Sequence, residues 1–164
     1  MIAVANTGHR DIDELTDVAS ARAWWREASG GVDELRGDDE DVELLRRARS
    51  VIRALALRNN GVVTEVDASA LAALPLRFSL TDGPGLRAAN GASRMRELTA
   101  RTLAALLRSS AGLGWSRIKA CPGPDCGWVF HDRSRNGSRR WCDMAACGNR
   151  AKGSAFRARH RDTQ

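Results

Sequence analysis

Cys121, Cys126, Cys142 and Cys147 are the chain's four cysteines, and they are spaced C-x4-C-x15-C-x4-C. Two close pairs separated by a moderate gap suit a tetrahedral zinc site. Each pair supplies two thiolates from one turn, and the intervening loop folds the pairs together. Other uses of cysteine fit less well. Redox pairs are typically C-x-x-C, which is absent. Four thiols buried by chance within 27 residues would be improbable. Disulfides belong to oxidising compartments. Residues 1–18, "MIAVANTGHRDIDELTDV", show no basic segment followed by an apolar one, as a secretory leader would. No run of eighteen apolar residues suggests a membrane span. The expectation is a cytoplasmic protein with reduced thiols and a structural Zn2+ on all four cysteines. Four thiolates fill the tetrahedron and leave no open position for catalysis.

The residues between the cysteines support this. "CPGPDCG" places Pro and Gly where a knuckle must turn its amides toward sulfur. "WVFHD" and "SRRWC" flank "SRNG", and Asn136-Gly137 is a hairpin signal. That predicts a hairpin with Trp128 and Phe130 on one face and Trp141 on the returning strand. A helix is expected from about residue 144. Knuckle, hairpin and helix in that order make a treble-clef-like finger, and His131 reads as a strand-surface residue.

Upstream the pattern is α+β. Residues 1–6 read as a short strand. A helix follows over residues 15–31, capped by Thr16, ended by Gly30 and Gly31, with Trp25 in the core. "DDED" opens a second helix over residues 40–58, with Leu45, Ala48, Ile52 and Leu55 on one face. A short helix capped by Asp67 or Ser69 precedes two strands around a Gly/Pro turn. A third long helix spans residues 93–110. No P-loop or nucleophile elbow occurs in residues 1–116. His9, with Asn6, Thr7 and Arg10, reads as loop capping, with a small-molecule effector site as the alternative.

Charge divides the chain at the same place as cysteine. Residues 1–116 hold 15 basic and 16 acidic side chains, a balance of −1. Residues 117–164 hold 11 and 4, a balance of +7, or +5 once a zinc tetrathiolate is counted. Two domains are expected, 1–116 and 117–164, the first folding without metal. The chain has 24 Arg and 2 Lys, so arginine identity says little and local excess says more. On a helix over residues 144–161, Arg150, Arg157 and Arg161 fall within about 40° of one another. With Lys152 and the hairpin residues Arg139 and Arg140, they are the candidate nucleic-acid contacts, duplex DNA being the expected partner. Arg150 has a second reading, as a brace inside the finger. The alternative partner is an acidic protein surface. A nuclease needs a metal-binding histidine on the finger's helix, and residues 142–155 contain none, so no enzyme activity is expected.

Residues 121–152, "CPGPDCGWVFHDRSRNGSRRWCDMAACGNRAK", resemble the CGNR zinc-finger family. Cys147, Gly148, Asn149 and Arg150 spell the motif, and Phe130, Asp132, Ser134, Asn136, Arg140, Trp141 and Met144 match as well. "VANT" and "DVASARAWWREA" resemble the ABATE domain that accompanies such fingers. The resemblance implies an α+β N-terminal domain and a bacterial, stress-related transcription regulator.

Overall fold

The computed structural model describes residues 1–31, 34–72, 74–81 and 83–161, with residue 161 described for its backbone alone. The fold is α+β: among the described residues, helices combine with three small antiparallel two-stranded sheets. Helix α1 (Ile2–Ala5) leads into the hairpin β1 (Gly8–His9) and β2 (Ile12–Asp13), then α2 (Val18–Ala28), α3 (Asp39–Arg58) and α4 (Ser69–Ala72). Strands β3 (Leu76–Ser79) and β4 (Gly85–Ala88) precede α5 (Arg94–Ser110). A 3-10 turn, Trp115–Arg117, opens β5 (Ile118–Ala120), which pairs with β6 (Val129–His131). A π-turn, Met144–Gly148, runs into α6 (Asn149–Arg161). Among the described residues no helix is long and apolar enough to cross a membrane.

Helix α3 organises the core because its sequence is consistent at both ends and along one face. Asp38 accepts from the Asp41 amide at 3.0 Å and Asp41 accepts from the Asp38 amide at 3.2 Å, a reciprocal capping box. Val42, Leu45, Ala48, Ile52 and Ala56 form its buried stripe. Helix α5 starts on Ser93, which accepts from the Arg96 amide at 3.0 Å, and packs Met95, Thr99, Thr102 and Leu106 inward. Arg96 bonds the buried Asp41 at 2.5 Å and so ties the two helix starts together.

Three upstream expectations are corrected. In place of the strand expected at residues 1–6 stands α1 (Ile2–Ala5), with the Ala5 amide bonded to the Met1 carbonyl at 3.0 Å and Val4 and Ala5 buried. A short apolar run carries no period of its own, so tertiary packing decides its form. Helix α2 is capped by Asp17, which accepts from the Ser20 amide at 2.7 Å; the Thr16 hydroxyl bonds Ser20 Oγ instead. Trp25 is half-buried against the cluster around Leu45 and Met95. The β3–β4 hairpin forms as expected, while Asp82 in its turn lies outside the described residues.

The finger's hairpin is also corrected. Strand β6 pairs with β5 on its N-terminal side, in register Ala120↔Val129, and residues 138–142 form no strand. Gly137 does take a left-handed φ of 62°, but side chains hold its loop. Lys119 Nζ donates to Asp132 Oδ2 at 2.8 Å, to the Arg139 carbonyl at 3.2 Å and to the Gly137 carbonyl. Asp132 also accepts from the Ser134 amide and hydroxyl and from the Arg139 amide at 3.0 Å. Both partners are buried.

Packing runs across residue 117. Ala120 and Val129 share one apolar cluster with Ala5, Ala48, Ile52 and Ala56. Where "NNG" ends α3, Asn59 Nδ2 donates to the Trp115 and Ile118 carbonyls. Asn60 Nδ2 donates to those of Ala120 and Arg140, at 2.8 and 2.7 Å. Asn6 closes the other side, donating to the Val129 carbonyl at 2.9 Å and accepting from the Val129 amide at 2.8 Å.

Burial pushes the Asp132 carboxyl up, but the Lys119 and Ser134 hydrogen bonds outweigh it and hold the group well below the usual carboxylate range. A carboxyl depressed by folding stabilises in full above its unfolded value, about pH 4, and loses that contribution as the pH falls toward the depressed value. Lys119→Met leaves a buried carboxylate unpaired and is expected to cost about 3–5 kcal/mol at pH 7. Denaturant melts at pH 7 and pH 3 check this: the gap between wild type and variant should narrow in acid.

Candidate metal centre

Each cysteine pair is delivered by a turn whose residues suit it. The Cys121 amide donates to the Trp128 carbonyl at 2.9 Å at the end of β5, and the Cys126 amide to the Gly123 carbonyl at 3.1 Å. Asp125 and Gly127 close this knuckle with φ of 57° and 59°. A Cβ on Gly123 would sit 3.4 Å from Cys147 Sγ and 3.5 Å from Cys121 Sγ, so the knuckle passes close over the sulfurs. On the second side Asp143 caps the π-turn, accepting from the Ala146 amide at 3.0 Å. Gly148 leaves no room for a Cβ beside the Met144 sulfur and the Trp141 ring.

The four Sγ atoms lie within 4.8 Å of one another. Cys126 and Cys142 sulfurs are 3.5 Å apart, and those of Cys142 and Cys147 are 3.7 Å apart. A tetrahedron with Zn–S bonds of about 2.3 Å has S···S edges of about 3.8 Å, whereas a disulfide needs about 2.05 Å. Cys121, Cys126 and Cys147 are buried, Cys142 is half-buried, and Phe130 and Trp141 pack around them. The donor set therefore fits a divalent, thiophilic ion such as zinc.

Four thiolates around such an ion carry a net −2, and three cationic or polar groups approach them. Arg150 Nη2 donates to Cys147 Sγ at 3.3 Å. From the N-terminal region, His9 Nδ1 lies 3.7 Å from Cys126 Sγ, and its ring meets Trp128 edge-on at 5.3 Å. The Arg10 amide donates to the Asp125 carbonyl at 3.1 Å and holds that segment against the knuckle. Arg53, anchored on the Ala5 and Gly8 carbonyls, lies beside Gly127, where an added Cβ would meet its side chain at 3.4 Å. As thiols, burial pushes Cys126 up to about 11 and Cys142 higher still. Burial acts the same way on Cys147, but the Arg150 contact and the neighbouring sulfurs outweigh it and bring the group down to about 7. A bound cation would favour the thiolate at every position.

His9 was legible only as part of a polar loop, and Arg53 only as one arginine of an amphipathic helix. Neither carried a signal for a site more than 60 residues away. Trp128 precedes β6 and is more exposed than Phe130, so the two do not share a strand face. The candidate nucleic-acid residues separate into two sets. Arg139 is committed to the finger: its guanidinium donates to the Trp141 and Cys142 carbonyls and lies 4.9 Å from the Phe130 ring centre. Arg150 braces Cys147. Arg140, Lys152 and Arg157 are exposed, Arg157 bonding Ser154 Oγ at 3.3 Å. The side chain of Arg161 lies outside the described residues.

One metal ion per chain is expected by elemental analysis of reduced protein, with none retained by Cys142→Ser. Because Ala120 and Val129 belong to the common core, chelation should lower the melting temperature of the whole chain. Arg150→Ala should keep the helical circular dichroism and yet weaken the metal about 10–100-fold, read by chelator competition.

No curated protein matches the chain. The sequence model of the CGNR zinc finger matches residues 117–160, the segment that carries all four cysteines, the Lys119–Asp132 pair and all of α6 but Arg161.

Proposed function

We propose that the chain is a cytoplasmic, non-enzymatic transcription regulator whose finger holds one structural Zn2+ on Cys121, Cys126, Cys142 and Cys147 and binds duplex DNA. In this reading residues 1–116 form an ABATE-like module that senses a ligand and residues 117–164 bind the nucleic acid. The observation that carries it is the state of α6. Residues 154–160 are exposed on every face. Arg140, Lys152 and Arg157 have no carboxylate partner among the described residues. A polar helix without a packed face is marginal alone, and Gly153 costs it about 1 kcal/mol. A line of phosphates supplies the missing counter-charge, and a 13-residue helix spans about 20 Å, long enough to lie in a major groove.

Phe156, 54% exposed on the same helix and edge-on to His160 at 4.1 Å, favours the second reading, an adaptor that docks on an acidic protein with an apolar notch. The two readings separate on salt. With about five phosphates neutralised, log K for duplex DNA should fall with log salt at a slope of about −4 to −5. Lys152→Ala with Arg157→Ala should weaken all duplexes and shallow that slope by about two. Equal affinities and slopes for variant and wild type would remove the DNA reading, and Phe156→Ala would then be the variant that matters.

A further inference from the structure

A cleft of about 520 Å³ runs beside α5, on residues 1–116, separate from the cysteine centre. Its inner wall is apolar: Leu35 and Ala104 are buried, and Trp25, Leu98 and Ala105 are half-buried along it. Its rim carries Arg94, Arg101 and Arg108. Seven residues bring a helix back to within about 20° of the same direction, so these three guanidinium groups form one stripe about 20 Å long.

Among the described residues the stripe has no counter-charge. Arg94, Arg101 and Arg108 are exposed and make no ion pair among the described residues. Elsewhere in residues 1–116 arginine is mostly committed. Arg36, Arg46, Arg47, Arg49, Arg87 and Arg96 bond carboxylates. Among the described residues, the two carboxylates lining the cleft are engaged as well. Glu97 accepts from the Ala88 amide at 3.0 Å and pairs with Arg87, while Glu34 pairs with Arg36 at 2.9 Å. An apolar wall beneath unpaired guanidinium groups calls for a ligand with the complementary division.

We propose that this cleft binds a small amphipathic organic anion, its aliphatic or aromatic body on the Trp25–Leu98–Ala105 wall and its carboxylate or phosphate head on Arg94 and Arg101. Guanidinium forks match both head groups bidentately, and the volume lies within the usual range for small-molecule sites. This deepens the sensing role proposed for residues 1–116, and its test needs no DNA, so either idea can fail alone.

Titration calorimetry on the zinc-loaded full chain, with monomeric dodecanoate and dodecyl phosphate as probes, measures it. At least one anion should bind tenfold or more tightly than dodecanol and than acetate; the preferred anion identifies the head group. Arg94→Gln with Arg101→Gln should cost at least tenfold. Ala105→Trp should do the same by filling the wall without touching charge, its folding checked by an unchanged melting temperature. Three results would overturn the proposal: no binding of either anion, dodecanol binding as tightly, or full binding by the arginine variant.

Discussion

The finger depends on the buried pair between Lys119 and Asp132. Cys121 and Cys126 sit on a hairpin that the α3 core holds directly, but Cys142 follows a ten-residue stretch, 132–141, with no strand or helix. Without an anchor that stretch would leave the second cysteine pair to wander. Lys119 gives its three protons to Asp132 and to two carbonyls of the loop, and Asp132 takes four hydrogen bonds. A compact ammonium suits three separate acceptors, where a planar guanidinium would favour a fork. That accounts for one of only two lysines in a chain with 24 arginines. Such a pair contributes little net stability against an apolar substitute; here it fixes the path of the loop, and so where Cys142 arrives.

The same core reaches the site from the other side. Asn59 and Asn60 cap the end of α3 with side chains turned onto residues 115–120 and 140, and Asn6 closes on Val129. Each of these amides satisfies backbone groups that a longer sheet would have paired. The finger is too small to bury a core of its own. It leans Ala120 and Val129 on α1 and α3, and in return His9 and Arg53 stand beside the thiolate cluster. The local balance of charge at the metal centre is therefore set by residues from both halves of the chain.

How much was legible in the sequence follows from the range of the interactions. The cysteine set was readable because metal geometry imposes spacing, and α3 and α5 were readable because caps and a 3.6 period agree over many residues. The hairpin was misread because Asn136-Gly137 signals a turn whichever elements flank it; the partner of β6 was chosen by the Ala120–Val129 packing against α3, 60 or more residues upstream. The strand expected at residues 1–6 failed for a related reason: four apolar residues have no period, and burial against α3 makes them a helix. The approach of His9 to Cys126 spans 117 residues, and no local pattern encodes it.

The division of the basic residues follows from the same geometry. An arginine near a dianionic cluster is drawn into it, and Arg150, one turn beyond Cys147, has its nearest anion inside the finger. Arg139, held over Phe130, is fixed by carbonyls that a loop without a ladder leaves unpaired. Lys152 and Arg157 are exposed, and Arg157 bonds the Ser154 hydroxyl of its own helix. Position along α6 thus separates the basic residues: Arg150 bonds a cysteine sulfur, while Lys152 and Arg157 make no ion pair with a described carboxylate. On the DNA-binding reading, Arg150→Ala should act through metal retention and Arg157→Ala through binding alone, so measuring both quantities on each variant separates structure from recognition.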